Sequence, residues 1–299
     1  MKKLLLSLCC LLSATFAFAQ YNVYYTEKDV EIFNEYCATF AQKRDLPMGE
    51  LIVETGKYFL DVPYVNYTLE AREPEELIVN LRELDCVTFV ESTIALSKTL
   101  KSDSASFELY CDNLRNLRYR QGELKDFTSR LHYFSDWIYD KQQMGIVEDR
   151  TEWLGGELYP VNPKIMSKRP ELYRQLKNNP EYIPVIDQLE DNMKDRVMYS
   201  VPRERASKLD EKLENGLVIG TTTPGAMDIT HVGFLCIVEG KPHFMHASSK
   251  EKKVVITEGT LEDYLKSVKS MTGFMAVKIV EKAELQAEAE IEADNQDNT

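Results

Sequence analysis

From Gly216 to Val280 the chain runs in short stretches of alternating apolar and polar residues, while nearly everything before Gly216 repeats its apolar residues at helical spacing. That switch of period constrains the fold more than any other feature. Strands are expected over Leu217 to Gly220, Thr230 to Val238, Lys241 to Ala247, Lys252 to Thr257 and Gly273 to Val280. Helices first and a meandering antiparallel sheet second define an α+β chain.

Within the helical part, Val30, Phe33, Cys37 and Phe40 form a stripe over Glu27 to Arg44, with Ile32 and Tyr36 flanking. A second helix is expected from Met48 to Leu60, with Pro47 at its start. Asp61-Val62-Pro63-Tyr64-Val65 reads as an extended turn, and Leu77 to Leu81 as a short strand-like run. Asp85 is a good N-cap, and from Cys86 to Leu100 apolar residues crowd more than one face, which predicts a buried central helix. Between Phe107 and Asn215 the pattern is mainly helical and charged, interrupted by Gly and Pro, so about 103–215 reads as a helical elaboration.

The first residues carry Met1-Lys2-Lys3, an apolar run from Leu4 to Phe18, and Ala17-Phe18-Ala19 as a cleavage signature. This pattern predicts a secretory signal over residues 1–19, a mature chain from Gln20, and a periplasmic destination. The apolar run is shorter than the roughly 20 residues of a spanning helix, so no stable membrane insertion is expected once the signal is removed. Residues 20–280 read as one catalytic domain, and the acidic stretch 281–299, poor in apolar residues, reads as a disordered tail.

The formal charge of −13 becomes about −15 once Lys2 and Lys3 leave. Such a surface repels phosphate backbones, so nucleic acid is not an expected partner. Loss of Cys9 and Cys10 with the signal leaves Cys37, Cys86, Cys111 and Cys236 without C-x-x-C spacing. An apolar content of 43% supplies a core without a disulfide framework. Cys37 and Cys111 lie on amphipathic patterns and are expected to be buried helix residues.

Cys86 is different because it opens a helix. A thiol attacks only as thiolate, and the first-turn amides of a helix both favour that charge and bind the oxyanion of an attacked carbonyl. Far downstream lie Thr230-His231-Val232-Gly233-Phe234 and Met245-His246-Ala247-Ser248-Ser249. If Glu239-Gly240 is a two-residue turn, Val238 pairs with Lys241, His231 lies opposite Ser248, and His246 shares the face of His231 as its diagonal neighbour. A three-residue turn would put the rings on opposite faces. In the first register His231 is the base for Cys86 and His246 its orienting partner, with Gly233 leaving room beside them. His243 has the opposite parity and is expected to face away. His132 is either core or cleft wall. A zinc site using Cys86, His231 and His246 is the competing use of these residues, but Cys236 has the wrong parity and no H-E-x-x-H is present; no metal or cofactor is expected.

The order of Cys86, His231-Val232-Gly233-Phe234 and His246-Ala247-Ser248-Ser249 resembles the NlpC-type papain-like cell-wall cysteine peptidases. Val62-Pro63-Tyr64-Val65 matches the place of their active-site tyrosine. Where those enzymes usually have D-C-S-G, this chain has Asp85-Cys86-Val87-Thr88. Leu84 to Glu91, Arg130 to Trp137, and the stretch from Pro224-Gly225 to Phe234 more closely resemble a secreted branch known as N-acetylmuramoyl-L-alanine amidase-like. The resemblance implies a papain-like core with the nucleophile at a helix start packed on an antiparallel sheet, plus extra helices. It implies muropeptide substrates, with an anhydromuramyl form cut at the lactyl–L-alanine amide. Cys86, His231 and His246 would be catalytic, and Tyr64, Asp85, Thr88, Arg130, His132, Trp137 and Ser248 would shape the substrate site. Alternatives within reach of the same residues are a γ-D-glutamyl-diaminopimelate endopeptidase and a non-catalytic peptidoglycan-binding protein.

Overall fold

The computed structural model describes residues 21–70, 72–209, 211–225 and 229–281. The predicted signal segment and the tail beyond Glu281 lie outside the described residues. The helices are α1 (Glu27–Phe40), α2 (Met48–Tyr58), α3 (Cys86–Leu100), α4 (Phe107–Arg118), α5 (Phe134–Gln143), α6 (Ile165–Lys168), α7 (Arg174–Asn178), α8 (Tyr182–Met193) and α9 (Leu261–Ser267). The strands are β1 (Val23–Tyr24), β2 (Leu77–Ile78), β3 (Val147–Asp149), β4 (Glu157–Leu158), β5 (Tyr199–Pro202), β6 (Val218–Thr222), β7 (Ile229–Val238), β8 (Lys241–Ser248), β9 (Lys253–Thr260) and β10 (Gly273–Ile279).

The chain is α+β. Its main sheet runs in the order β4-β5-β10-β6-β7-β8-β9, with β3 also paired to β10, and every pairing in it is antiparallel. Alternation divides the side chains between two cores. Val218, Val232, Phe234, Met245 and Met275 face the larger one, which α2 and α3 cover. Ile219, Leu235, Phe244, Phe274 and Ala276 face the smaller one, closed by Leu261 and Leu265 of α9.

α3 is central because its sequence buries more than one side: Phe89, Val90, Ile94, Ala95 and Leu96 are all sealed from solvent. Burying each large side chain is worth roughly 1.5–3 kcal/mol, which fixes the helix against the sheet. Phe89 packs edge-on to Phe234 of β7 at 5.5 Å and to Phe59, just past α2, at 6.3 Å. Gly56 lets α2 approach β8, since a Cβ there would lie 2.3 Å from the Met245 methyl. Against α4, the buried Glu91 carboxylate takes a 2.7 Å hydrogen bond from Arg118 Nε, and Arg118 Nη1 donates to the Ile78 carbonyl.

Strands also occur inside the segment expected to be a helical elaboration. β3, β4 and β5 extend the sheet from within 103–215. Each is too short for alternation to be read against the helical background. The stripe on α1 is rotated by one position: Tyr36 is fully buried and Cys37 only partly, whereas Cys111 on α4 is buried as expected. The four cysteines among the described residues are free thiols. The fold also keeps Glu281, where the tail was expected to begin. Its Oε1 accepts from Met48 N at 2.6 Å, at the positive end of α2, and its Oε2 pairs with Lys101 at 3.3 Å.

Candidate active site

The start of α3 is anchored on three sides. Asp85 Oδ1 accepts from Thr88 N at 2.8 Å while Thr88 Oγ1 accepts from Asp85 N at 2.9 Å, a reciprocal cap. Upstream, the buried Asp29 carboxylate holds the Leu81 amide at 2.9 Å and Arg82 Nε at 3.1 Å. Alongside, Leu84 N donates to Pro63 O and Val65 N to Leu84 O, which lays Tyr64 beside the cysteine. Asp85 and Thr88 are therefore held in the cap of the helix that Cys86 begins.

β7 and β8 supply the imidazoles. The Glu239-Gly240 turn has positive φ at both residues, 50° and 76°, and pairs Val238 with Lys241, which is the two-residue register. The ladder runs only as far as Phe234 opposite Met245. Beyond that point His231 Nε2 and His246 Nδ1 approach to 2.6 Å with the rings nearly perpendicular, at 89°. Gly233 makes this possible: a Cβ there would lie 2.8 Å from His246 Cβ and 2.5 Å from Met245 O. His243 turns to the Thr257 carbonyl instead.

Cys86 meets these strands where their pairing has ended. Leu235 N donates to Leu217 O on the β6 side, so alternation aims the Val232 N–H toward β8. The backbone amides of Val232, Val87 and Cys86 lie near enough to the thiol to favour its charged form. The nucleophile candidate thus sits one residue along the strand from His231. His231 Nε2 is engaged by His246 Nδ1.

Electrostatics differ from the simple helix-start expectation. Burial, reinforced by the Asp85 charge, pushes the Cys86 thiol up to about 12, and the three amides offset only part of this. Burial lowers His231 to about 4, and burial followed by the His231 charge lowers His246 to about 3. Burial thus favours the neutral form of the thiol and of both imidazoles. Alkylation of Cys86 by iodoacetamide, followed by peptide mapping, should consequently accelerate steadily from pH 7 to pH 10. A rate constant that is flat across neutral pH would instead mean a preformed thiolate–imidazolium pair.

Tyr64 lies close enough for the Cys86 and Asp85 charges, after burial, to raise its phenol to about 12, and its hydroxyl donates to Asn66 Oδ1 at 2.7 Å. Ser248 is buried, its Oγ accepting from Glu251 N at 3.1 Å to close the turn after β8. Three other expected site residues are engaged elsewhere. Arg130 is buried and ion-paired to Glu70 and Glu75, each at 3.0 Å. His132 holds the Phe127 carbonyl at 2.7 Å. Trp137 is 1% exposed and stacked on Phe134, so the structure puts it in the core and not on a cleft wall. Sequence reasoning missed Tyr264 on α9, whose ring lies 5.0 Å from that of His246. Among the described residues no group of three or more His, Cys, Asp or Glu side chains is arranged to hold a metal ion, and no helix is long and apolar enough to cross a membrane.

Similar folds are found among solved structures. A crystal structure of an N-acetylmuramoyl-L-alanine amidase from Bacteroides uniformis is 33% identical, with a TM-score of 0.75, covering 78% of this chain and 99% of its own. A Bacteroides fragilis protein proposed to be a xylanase is 35% identical, with a TM-score of 0.72, covering 76% of this chain and 100% of its own. A Legionella pneumophila protein of the DUF1460 family, 22% identical with a TM-score of 0.64 over 85% of this chain and 95% of its own, shares the fold. No curated protein matches. The family model for AmiA-like proteins matches residues 54–273, a span that includes Cys86, His231 and His246. The chain belongs to the AmiA-like family, described as N-acetylmuramoyl-L-alanine amidase-like.

Proposed function

We propose that this protein is a cysteine-dependent N-acetylmuramoyl-L-alanine amidase with a papain-like NlpC-type core, acting in the periplasm on muropeptides that carry an anhydromuramyl sugar. The observation that carries the reading is the thiol at the first position of α3, close to the backbone of Val232 next to His231, whose ring is tied to His246. The family supports the amide and the wall-derived substrate. The sugar form rests on the resemblance of the Leu84 to Glu91 and Arg130 to Trp137 motifs, and the periplasm on the signal-like first residues.

In this mechanism His231 Nδ1 takes the Cys86 proton as Sγ adds to the lactyl carbonyl carbon. First-turn amides of α3 stabilise the oxyanion. The C–N bond then breaks, with His231 returning the proton to the L-alanine nitrogen, and a lactyl thioester remains on Cys86. Water, deprotonated by the same imidazole, attacks the thioester, so that the thiol and a sugar lactyl carboxylate are released. His246 holds the His231 ring throughout, the part an Asp or Asn plays in other thiol enzymes. Glycoside hydrolysis would use a pair of free carboxylates, and Asp85, the carboxylate beside Cys86, is engaged in the helix cap.

Product analysis tests the assignment. Incubation with a defined anhydromuramyl tetrapeptide should release the intact tetrapeptide beginning with L-alanine, identified by mass spectrometry. Fragments cut after D-glutamate would replace the amidase with the endopeptidase, and an untouched substrate that still binds would favour a wall-binding protein.

A further inference from the structure

We propose that Tyr264 of α9 is a positioning residue of this site, its ring closing the solvent side of the His231–His246 pair and holding the two imidazoles in their edge-to-face arrangement. The Tyr264 ring centroid lies 5.0 Å from His246, 6.3 Å from His231 and 4.8 Å from Phe244. Phe244 stacks on His246 at 4.8 Å and 17°, and with Tyr264 in contact with both, the three rings form one mutually packed aromatic cluster against His231. Phe244 is sealed in the core, whereas Tyr264 is only partly buried.

The placement is built into α9. Thr260 Oγ1 accepts from Asp263 N, the Asp263 carboxylate accepts from Thr260 N at 2.9 Å, and Leu261 and Leu265 are fully buried on either side of Tyr264. A short helix capped and anchored in this way presents one ring to the histidines. An imidazole–imidazole hydrogen bond competes with water for the same nitrogen atoms, and the ring excludes that water. Tyr264 is in turn close enough to Cys86 for the thiol's charge to act on its phenol. Burial lowers the basicity of His231, and burial followed by the neighbouring His231 imidazole lowers that of His246.

This inference rests on the reading of the site as a thiol amidase, and its test separates the two. Tyr264→Phe, which keeps the ring, should retain activity within about twofold. Tyr264→Leu, which fills space without an aromatic wall, should lower kcat by about 10–100-fold with little change in KM, as expected for loosened orientation. In the Cys86→Ala background, where no turnover is needed, NMR titration of the imidazoles should show their midpoints rising by about one unit or more toward the ordinary 6.5 in Tyr264→Leu but not in Tyr264→Phe. A rise in these midpoints in a protein that cuts no muropeptide would sustain the positioning role and sink the amidase. Equal loss in both variants would assign the effect to the hydroxyl, and unchanged midpoints in Tyr264→Leu would show that the ring does not shield the pair. Either result overturns the proposal.

Discussion

Cys86→Ala is expected to lower kcat on a muropeptide by about 10⁴-fold or more, because loss of a nucleophile leaves only binding and oxyanion stabilisation. The fold should survive. Asp85 and Thr88 keep the start of α3 capped without the thiol, and Phe89, Val90 and Ile94 keep it buried. A substitution of one atom at a partly accessible position should therefore change unfolding free energy by less than about 1 kcal/mol. Turnover and urea unfolding measured on the same preparation check both halves. Residual turnover near the parent rate would remove Cys86 from the chemistry.

The largest effect on stability is expected five residues along α3 from Cys86, at Glu91. Glu91→Ala would strand Arg118 between α3 and α4, where its side chain is 3% exposed and its partner carboxylate 2% exposed. Breaking one half of a buried pair typically costs about 3–5 kcal/mol, since the remaining charge is left without solvent or counterion. Burial raises the Glu91 carboxyl even with the Arg118 charge and hydrogen bond pulling it down, so the pair is held under desolvation strain. Urea unfolding of Glu91→Ala reads the cost directly. A loss below about 1 kcal/mol would mean that Arg118 finds another acceptor beyond Ile78 O.

How far the sequence foretells this architecture depends on how long each pattern runs. α3 is legible because a capping residue precedes fifteen residues of sustained apolar spacing, and it spans Cys86–Leu100. β7 and β8 are legible because their alternation is long and Glu239-Gly240 fixes the register between them. The approach of the two histidines follows from that register. α9 is seven residues long, with Leu261 and Leu265 as its buried anchors, so it passes for a loop between strands, and Tyr264 goes unnoticed with it. Arg130, His132 and Trp137 sit in a segment rich in aromatic and charged residues, where a buried ion pair, a capped carbonyl and a stacked indole look like a cleft wall in one dimension. The protonation state of Cys86 is hidden for another reason. It is set by a contest between burial, the Asp85 charge and three backbone amides, and only the folded geometry supplies the balance.

The most direct measurement is the intact mass of the protein during turnover of an anhydromuramyl tetrapeptide, quenched in acid before the thioester hydrolyses. The account predicts a transient adduct on Cys86 with the mass of the anhydromuramyl lactyl acyl group and no amino acid attached. An adduct that retains L-alanine and D-glutamate, or substrate turnover with no adduct on Cys86 at any time, would contradict it.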